Sequence, residues 1–139
     1  MRHENQPSNR NRRQRGVVSV EFAILVPVLA MLILGGVDFG RAFFENHLLL
    51  EGARAGVRVA ALPRKTNDEV RAAVNQVLSS GGVTVTNDGI VIEKAGWNGN
   101  TGETAVVTVN HTFTPTVGRL IPNWSNQLML SQTVRARHE

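Results

Sequence analysis

At 139 residues, with 42% hydrophobic and 19% charged side chains, the chain has material for one domain rather than two. It contains no cysteine, which excludes a disulfide framework and any thiolate metal site. The formal net charge of +4 lies in residues 1–16, where Arg2, Arg10, Arg12, Arg13 and Arg15 outweigh Glu4, so the neutral remainder gives no electrostatic basis for binding nucleic acid.

Residues 1–16, MRHENQPSNRNRRQRG, have almost nothing to bury and are predicted to be an unstructured basic leader. Composition then changes abruptly: residues 17–37 are apolar, with Glu21 as the single charge. As a helix this segment measures about 31 Å, close to the ~30 Å of a bilayer's hydrocarbon core. No polar stripe interrupts it from Phe22 to Val37, so it is predicted to span a membrane. Five arginines precede the span, whereas Asp38, Arg41 and Glu45 follow it. The positive-inside bias therefore places the N-terminus in the cytoplasm and the rest of the chain outside.

The helical pattern continues through residues 38–62 and stops before Pro63. Phe44, Leu48, Ala55, Val59 and Leu62 project to one side, beside a polar stripe of His47, Glu51, Arg54 and Arg58. One helix over 17–62 would be about 69 Å long. Gly36-x-x-x-Gly40 is expected to be a flexible point near the membrane exit, and Gly52-x-x-x-Gly56 a close-packing surface. Asp38 and Arg41, three residues apart, are expected to pair on the helix surface.

Residues 63–139 form the predicted head. A helix over 67–79 is capped by Thr66 or Asn67, carries Asp68 and Glu69 at its positive end, and aligns Val70, Val74, Val77 and Leu78. Ser79-Ser80-Gly81-Gly82 ends it. The period then becomes two. Residues 83–86 (VTVT) alternate, Asn87-Asp88-Gly89 signals a hairpin, and 90–95 would be the return strand. After a Gly/Asn-rich loop, residues 104–115 point Ala105, Val107, Val109 and Phe113 one way, and 128–137 give a last strand. The predicted class is α+β, with a long N-terminal transmembrane helix that extends into a small extracytoplasmic head. The head holds a short helix and a three- or four-stranded antiparallel sheet.

Glu21 requires a reason, because a carboxylate within a spanning helix costs roughly 2.5–3.5 kcal/mol on insertion scales. One reason is depth: it lies near enough to the interface for water or a leader arginine to relieve it. Another involves Gly16. A cut between Gly16 and Val17 would remove the leader and create an α-amino group one helical turn from Glu21. Among parallel helices such an amine and carboxylate neutralise each other between neighbours. Gly16 also allows a protease to approach the backbone closely.

A basic leader, Gly, four mostly apolar residues, Glu, an aromatic and a long apolar run together resemble the prepilin signature of type IV pilins and pseudopilins. More specifically, residues 15 to about 61 are similar to the TadE-like family of tight-adherence pilus systems. The matching elements are Arg15-Gly16, Val20-Glu21-Phe22-Ala23, Pro27, the Gly35-Gly36 pair before Asp38-Phe39-Gly40-Arg41, and Glu51-Gly52-Ala53-Arg54-Ala55-Gly56. The resemblance implies a minor pilin or pseudopilin that takes part in assembling a tight-adherence (type IV-like, Flp) pilus rather than forming its bulk. It implies Gly16 and Val17 as the prepilin cleavage site and Glu21 as the assembly carboxylate. Implied partners are other pilins and pseudopilins, inner-membrane pilus assembly proteins, a prepilin peptidase and membrane lipid. The implied location is the inner (cytoplasmic) membrane, single-pass, with possible incorporation in a pilus.

Two other structural roles fit the same outline. A bitopic membrane protein could use its head to bind a ligand or surface and never enter a filament. A major pilin of a related system is a third reading, although the tight-adherence major pilin is a much shorter chain. A secretory signal peptide has a shorter apolar core and a small-x-small site, whereas Leu34-Gly35-Gly36 places a large residue three before the cut. No nucleophile–base–acid set, phosphate loop or carboxylate pair stands out, so no enzymatic activity and no cofactor are expected. His3, His47, His111 and His138 lack metal-ligand spacing, and His111 is expected to be half-buried and satisfied. Trp97 and Trp124 fall in loops, where plugging the core is favoured over touching a partner.

Overall fold

The longest stretch free of helix breakers becomes the longest element. In the structure, a computed structural model that describes residues 10–94, 103–119 and 127–137, helix α1 runs from Arg10 to Ala60 without interruption, Pro27 included. Ala61 and Leu62 close its end through N–H bonds to the carbonyls of Val57 (2.9 Å) and Val59 (3.1 Å). Pro63 then blocks a further turn. The helix therefore ends two residues before the expected Leu62. At the other end it begins at Arg10, inside the segment predicted to be unstructured. Adding Arg and Gln residues to an existing helix costs only propagation, not nucleation, and both are good helix formers. Residues 1–9 lie outside the described residues, as do the loop at 96–102, Trp97, Trp124, His3 and His138.

Contacts divide the chain into two units, Met1–Val37 and Asp38–Glu139. In the first, every large apolar side chain from Val18 to Ile33 is more than half exposed. This part of α1 is long and apolar enough to cross a membrane, and none of its most apolar window is buried within the chain.

The second unit contains the core. Helix α2 (Asn67–Ser80) opens with a capping box: the Glu69 N–H donates to Thr66 Oγ1 at 3.3 Å, and the Thr66 N–H donates to Glu69 Oε2 at 2.8 Å. Lys65 Nζ adds a 2.8 Å bond to Glu69 Oε1. Val70, Val74 and Leu78 turn inward on α2. Strands β1 (Ile90–Lys94), β2 (Thr104–Phe113) and β3 (Leu128–Arg137) form an antiparallel sheet in the order β1-β2-β3. Ile90 lies opposite Val109, and Leu128 opposite Phe113. The inward face of β2 buries Ala105, Val107, Val109 and Phe113, as the alternation predicts. Each fully buried Val or Leu contributes about 1.5–3 kcal/mol of transfer free energy.

Two expectations change. Residues 83–86 do not join the sheet, and Asn87–Gly89 is a 3-10 turn rather than a hairpin. The Val83 N–H bonds the Leu78 carbonyl at 3.0 Å, and Val83 and Val85 are buried, so this segment is held against the core rather than alongside β1. The alternation gave its sidedness correctly but not its pairing. The buried face of α1 also differs from the expected one. It consists of Leu49, Ala53, Val57 and Ala60 with Gly52 and Gly56, while Phe44 and Leu62 are half exposed. Close approach of the elements explains this. A Cβ on Gly56 would stand 2.5 Å from Val74 Cγ2 and 3.3 Å from Val107 Cγ1, so only a small residue fits there. Gly52-x-x-x-Gly56 is therefore the close-packing surface that the spacing suggested. The stripe of His47, Glu51, Arg54 and Arg58 is exposed as expected.

Candidate functional site

The residues singled out in the sequence, Gly16, Val17 and Glu21, all fall on the helical backbone of α1. Side chains are described from Val18 onward, and that of Glu21 is exposed. Four residues separate Val17 from Glu21, which places them on one helix face about 6 Å apart along the axis. Glu21 is the only charged residue between 18 and 37. The Gly16–Val17 peptide is itself helical, so hydrolysis there requires the first turns to unwind. Gly16 lowers the cost of unwinding by about 1 kcal/mol relative to Ala.

A second cluster lies within the Asp38–Glu139 unit, where the start of its helical segment meets the end of β2. Asp38 is buried, and its Oδ2 accepts the Val117 N–H at 2.8 Å. That amide, then the Thr116 amide, hold the Asp38 carboxyl below its ordinary value of 3.8. Burial opposes them, while the Thr116 hydroxyl and the Arg41 charge add to them. Arg41 occupies the centre. Its guanidinium stands 3.8 Å from Asp38 Oδ1 and 3.7 Å from Glu45 Oε1, donates to Thr116 Oγ1 at 3.2 Å, and lies 5.6 Å above the Phe113 ring. Glu45 Oε2 in turn is 3.3 Å from His111 Nε2, and both side chains are mostly buried. One turn along, Gln132 Nε2 donates to Asn46 Oδ1 at 2.8 Å. These contacts fasten β2, β3 and the turn at Val117–Arg119 to α1.

His111 is half-buried, as its strand parity predicted, with Nε2 3.3 Å from Glu45 Oε2. The expected Asp38–Arg41 pair forms, at 3.8 Å, but not on the surface: Asp38 is buried, and its shortest partner is the Val117 amide rather than the guanidinium. Glu45, Thr116 and Val117 were missed. The i, i+3 and i+4 spacing of Asp38, Arg41 and Glu45 was a legible signal for half of the cluster. Among the described residues, no group of three or more His, Asp or Glu is placed to hold a metal ion.

Two of the grooves on this unit are bordered by described residues. One, of about 480 Å³, is bordered by Thr84, Val85, Thr86, Asp88, Gly89, Asn110, His111, Thr112 and Met129 and mixes polar with apolar walls. The other, of about 400 Å³, lies between Phe39, Ala42, Phe113, Pro115 and Leu128, with Asp38 at its edge.

Among the described residues, one helix is long and apolar enough to cross a membrane, and the chain that follows it folds as a small α+β head. Residues 16–58 match the family model of the TadE-like proteins, so the pilus-related family that the motifs resemble is recognised over this part of the chain. The match begins at Gly16, takes in Glu21 and the apolar run, and ends two residues before α1 does. No curated protein and no solved structure matches the chain.

Proposed function

We propose that this protein is a minor pilin or pseudopilin that takes part in assembling a tight-adherence, type IV-like pilus. The observation that carries this reading is the placement of Glu21 one helical turn after Val17, as the single charge of the exposed apolar segment 18–37 within the matched region. In this reading a prepilin peptidase cuts between Gly16 and Val17 at the inner membrane, and the new amine and the Glu21 carboxylate neutralise each other between adjacent subunits. The head stays outside the cytoplasmic membrane. It acts through contacts with other pilins and with membrane-embedded assembly proteins, not through catalysis. The Asp38–Val117 bond and the Arg41–Thr116 bond, which tie the helical segment to the turn after β2, support a fastening role for these residues.

Intact-mass analysis of the protein recovered from pilus-producing cells is expected to give a chain that begins at Val17; a retained leader would remove the processing step. Glu21→Ala is expected to abolish piliation while membrane insertion persists. Normal piliation by that variant would favour the bitopic alternative, in which the head binds its target without entering a filament.

A further inference from the structure

Strand β2 outruns one of its two neighbours. β3 accompanies it at every position from Thr104 to Phe113, whereas β1 pairs only with Ala105–Val109. Among the described residues, Asn110–Phe113 therefore has a ladder on the β3 side and none on the β1 side. The chain before β1 leaves that line because Asn87–Gly89 turns as a 3-10 helix. The Gly89 N–H donates to the Thr86 carbonyl at 2.9 Å, and the Ile90 N–H donates to that of Asn87. A strand position beside β2 is left vacant, and an unpaired strand edge is a template for another extended chain.

The 480 Å³ groove lies at this vacant position. Successive side chains of a strand point to opposite faces, and the groove takes in both. His111 turns to Glu45 on α1, whereas Thr112 shares the other face with Met129, its partner on β3. A hollow that touches both faces of one strand runs along its edge. Thr84, Val85, Thr86 and Asp88 border it as well. The Asn110 carbonyl points to Gly89, since a Cβ there would stand 2.7 Å from its oxygen and 3.8 Å from its carbon. By the two-residue period of a strand, the next main-chain N–H and C=O on that side belong to Thr112.

The chemistry of the walls selects the occupant. Threonine hydroxyls and the Asn110 amide stand beside the apolar Val85 and Met129. A polypeptide, with main-chain amides and alternating side chains, matches that mixture better than a purely apolar ligand does. Asp88 is exposed and is the only carboxylate on the border, where there is no lysine or arginine. Asn110–Phe113 spans only about 13 Å, and β1 occupies the line beyond it, so the occupant is short. We propose that the open edge of β2 binds a short extended segment of a partner polypeptide, which pairs with the Thr112 main chain in line with β1 and sets a basic side chain against Asp88. The inference concerns the head alone. It gives a place to contacts that the assembly reading requires, and its test involves no pilus, so its failure would leave that reading standing.

The probe is a blocked pentapeptide that alternates threonine with valine and ends in lysine, titrated into the full chain in micelles. Amide exchange and amide chemical shifts are followed by NMR. The peptide is expected to slow exchange of the Thr112 N–H several-fold and to move the resonances of Asn110–Phe113. The same peptide methylated on every main-chain nitrogen is expected to do neither. Glutamate in place of its lysine should weaken binding several-fold, and Asp88→Asn should erase that difference. Unchanged exchange at Thr112 would overturn the proposal, as would an equal effect of the methylated peptide. Equal affinity of the parent chain for the lysine and glutamate peptides would overturn the basic side chain. Protection of Thr112 that rises with protein concentration in the absence of peptide would assign the edge to a second copy of the chain and overturn the partner segment.

Discussion

The two halves of helix α1 use opposite kinds of side chain. From Val18 to Ile33 its large apolar residues are exposed, and none of the described residues covers them. From Leu49 to Ala60 its inward face is made largely of glycine and alanine, and these are buried. Hydrophobicity alone would assign the core to the first half and the surface to the second. The difference is one of partner: a lipid phase accepts bulk at any angle, whereas a second helix and a sheet at close range accept only what fits between them.

The largest test of this contrast is truncation of a core side chain. Leu78→Ala should cost the head about 2–5 kcal/mol, measured by urea unfolding of the full chain in micelles. Leu29→Ala in the span should leave that transition where it is. Equal losses from the two variants would mean that the units are not separable. Glycine substitutions sharpen the contrast within one helix. Gly56→Ala should destabilise the head by about 1–3 kcal/mol, in spite of alanine's better helix propensity, because its methyl group meets Val74. Gly36→Ala, with nothing within 4 Å of the added carbon, should leave the unfolding midpoint unchanged.

The smallest expected effect is on pH dependence, and it belongs to the head alone. The Lys65 ammonium, then the Thr66 N–H, lower Glu69 from 4.5 to about 2 against the cost of burial, and the Thr66 hydroxyl adds to the shift. A depressed carboxylate pKa contributes stability that is fully present above pH 4.5 and is lost as pH falls through about 2. Unfolding measured from pH 6 to pH 2 should therefore fall less steeply for Glu69→Gln than for the parent. The slope that remains should include Asp38, whose carboxyl is lowered by the Val117 amide and loses its contribution below 3.8. Identical slopes for the two proteins would remove Glu69 from the account.

Elements defined by local chemistry were legible in the sequence. Pro63 stops α1, Thr66 and Glu69 start α2, and alternation defines β2 and β3, the latter at its observed bounds. What depended on long-range packing was not. The inward face of α1 is set by how closely α2 and β2 approach, which residue size at Gly52, Ala53 and Gly56 hints at but hydrophobic weighting hides. Residues 83–86 alternate like a strand, yet alternation says which side chains are inward and nothing about which backbone lies alongside. In the same way Val17 and Glu21 are related by helix spacing alone, while the Asp38–Val117 bond joins residues 79 positions apart and has no local signature.

The order of the sheet has a consequence for synthesis. β3 pairs with β2 at ten positions, whereas β1 covers only five of them, so the central strand gains its longer partner last. Helices α1 and α2 are local and can form as the chain emerges, but the ladder that completes the core waits for residues 128–137. A head of this topology becomes a closed, folded body only after its final strand arrives.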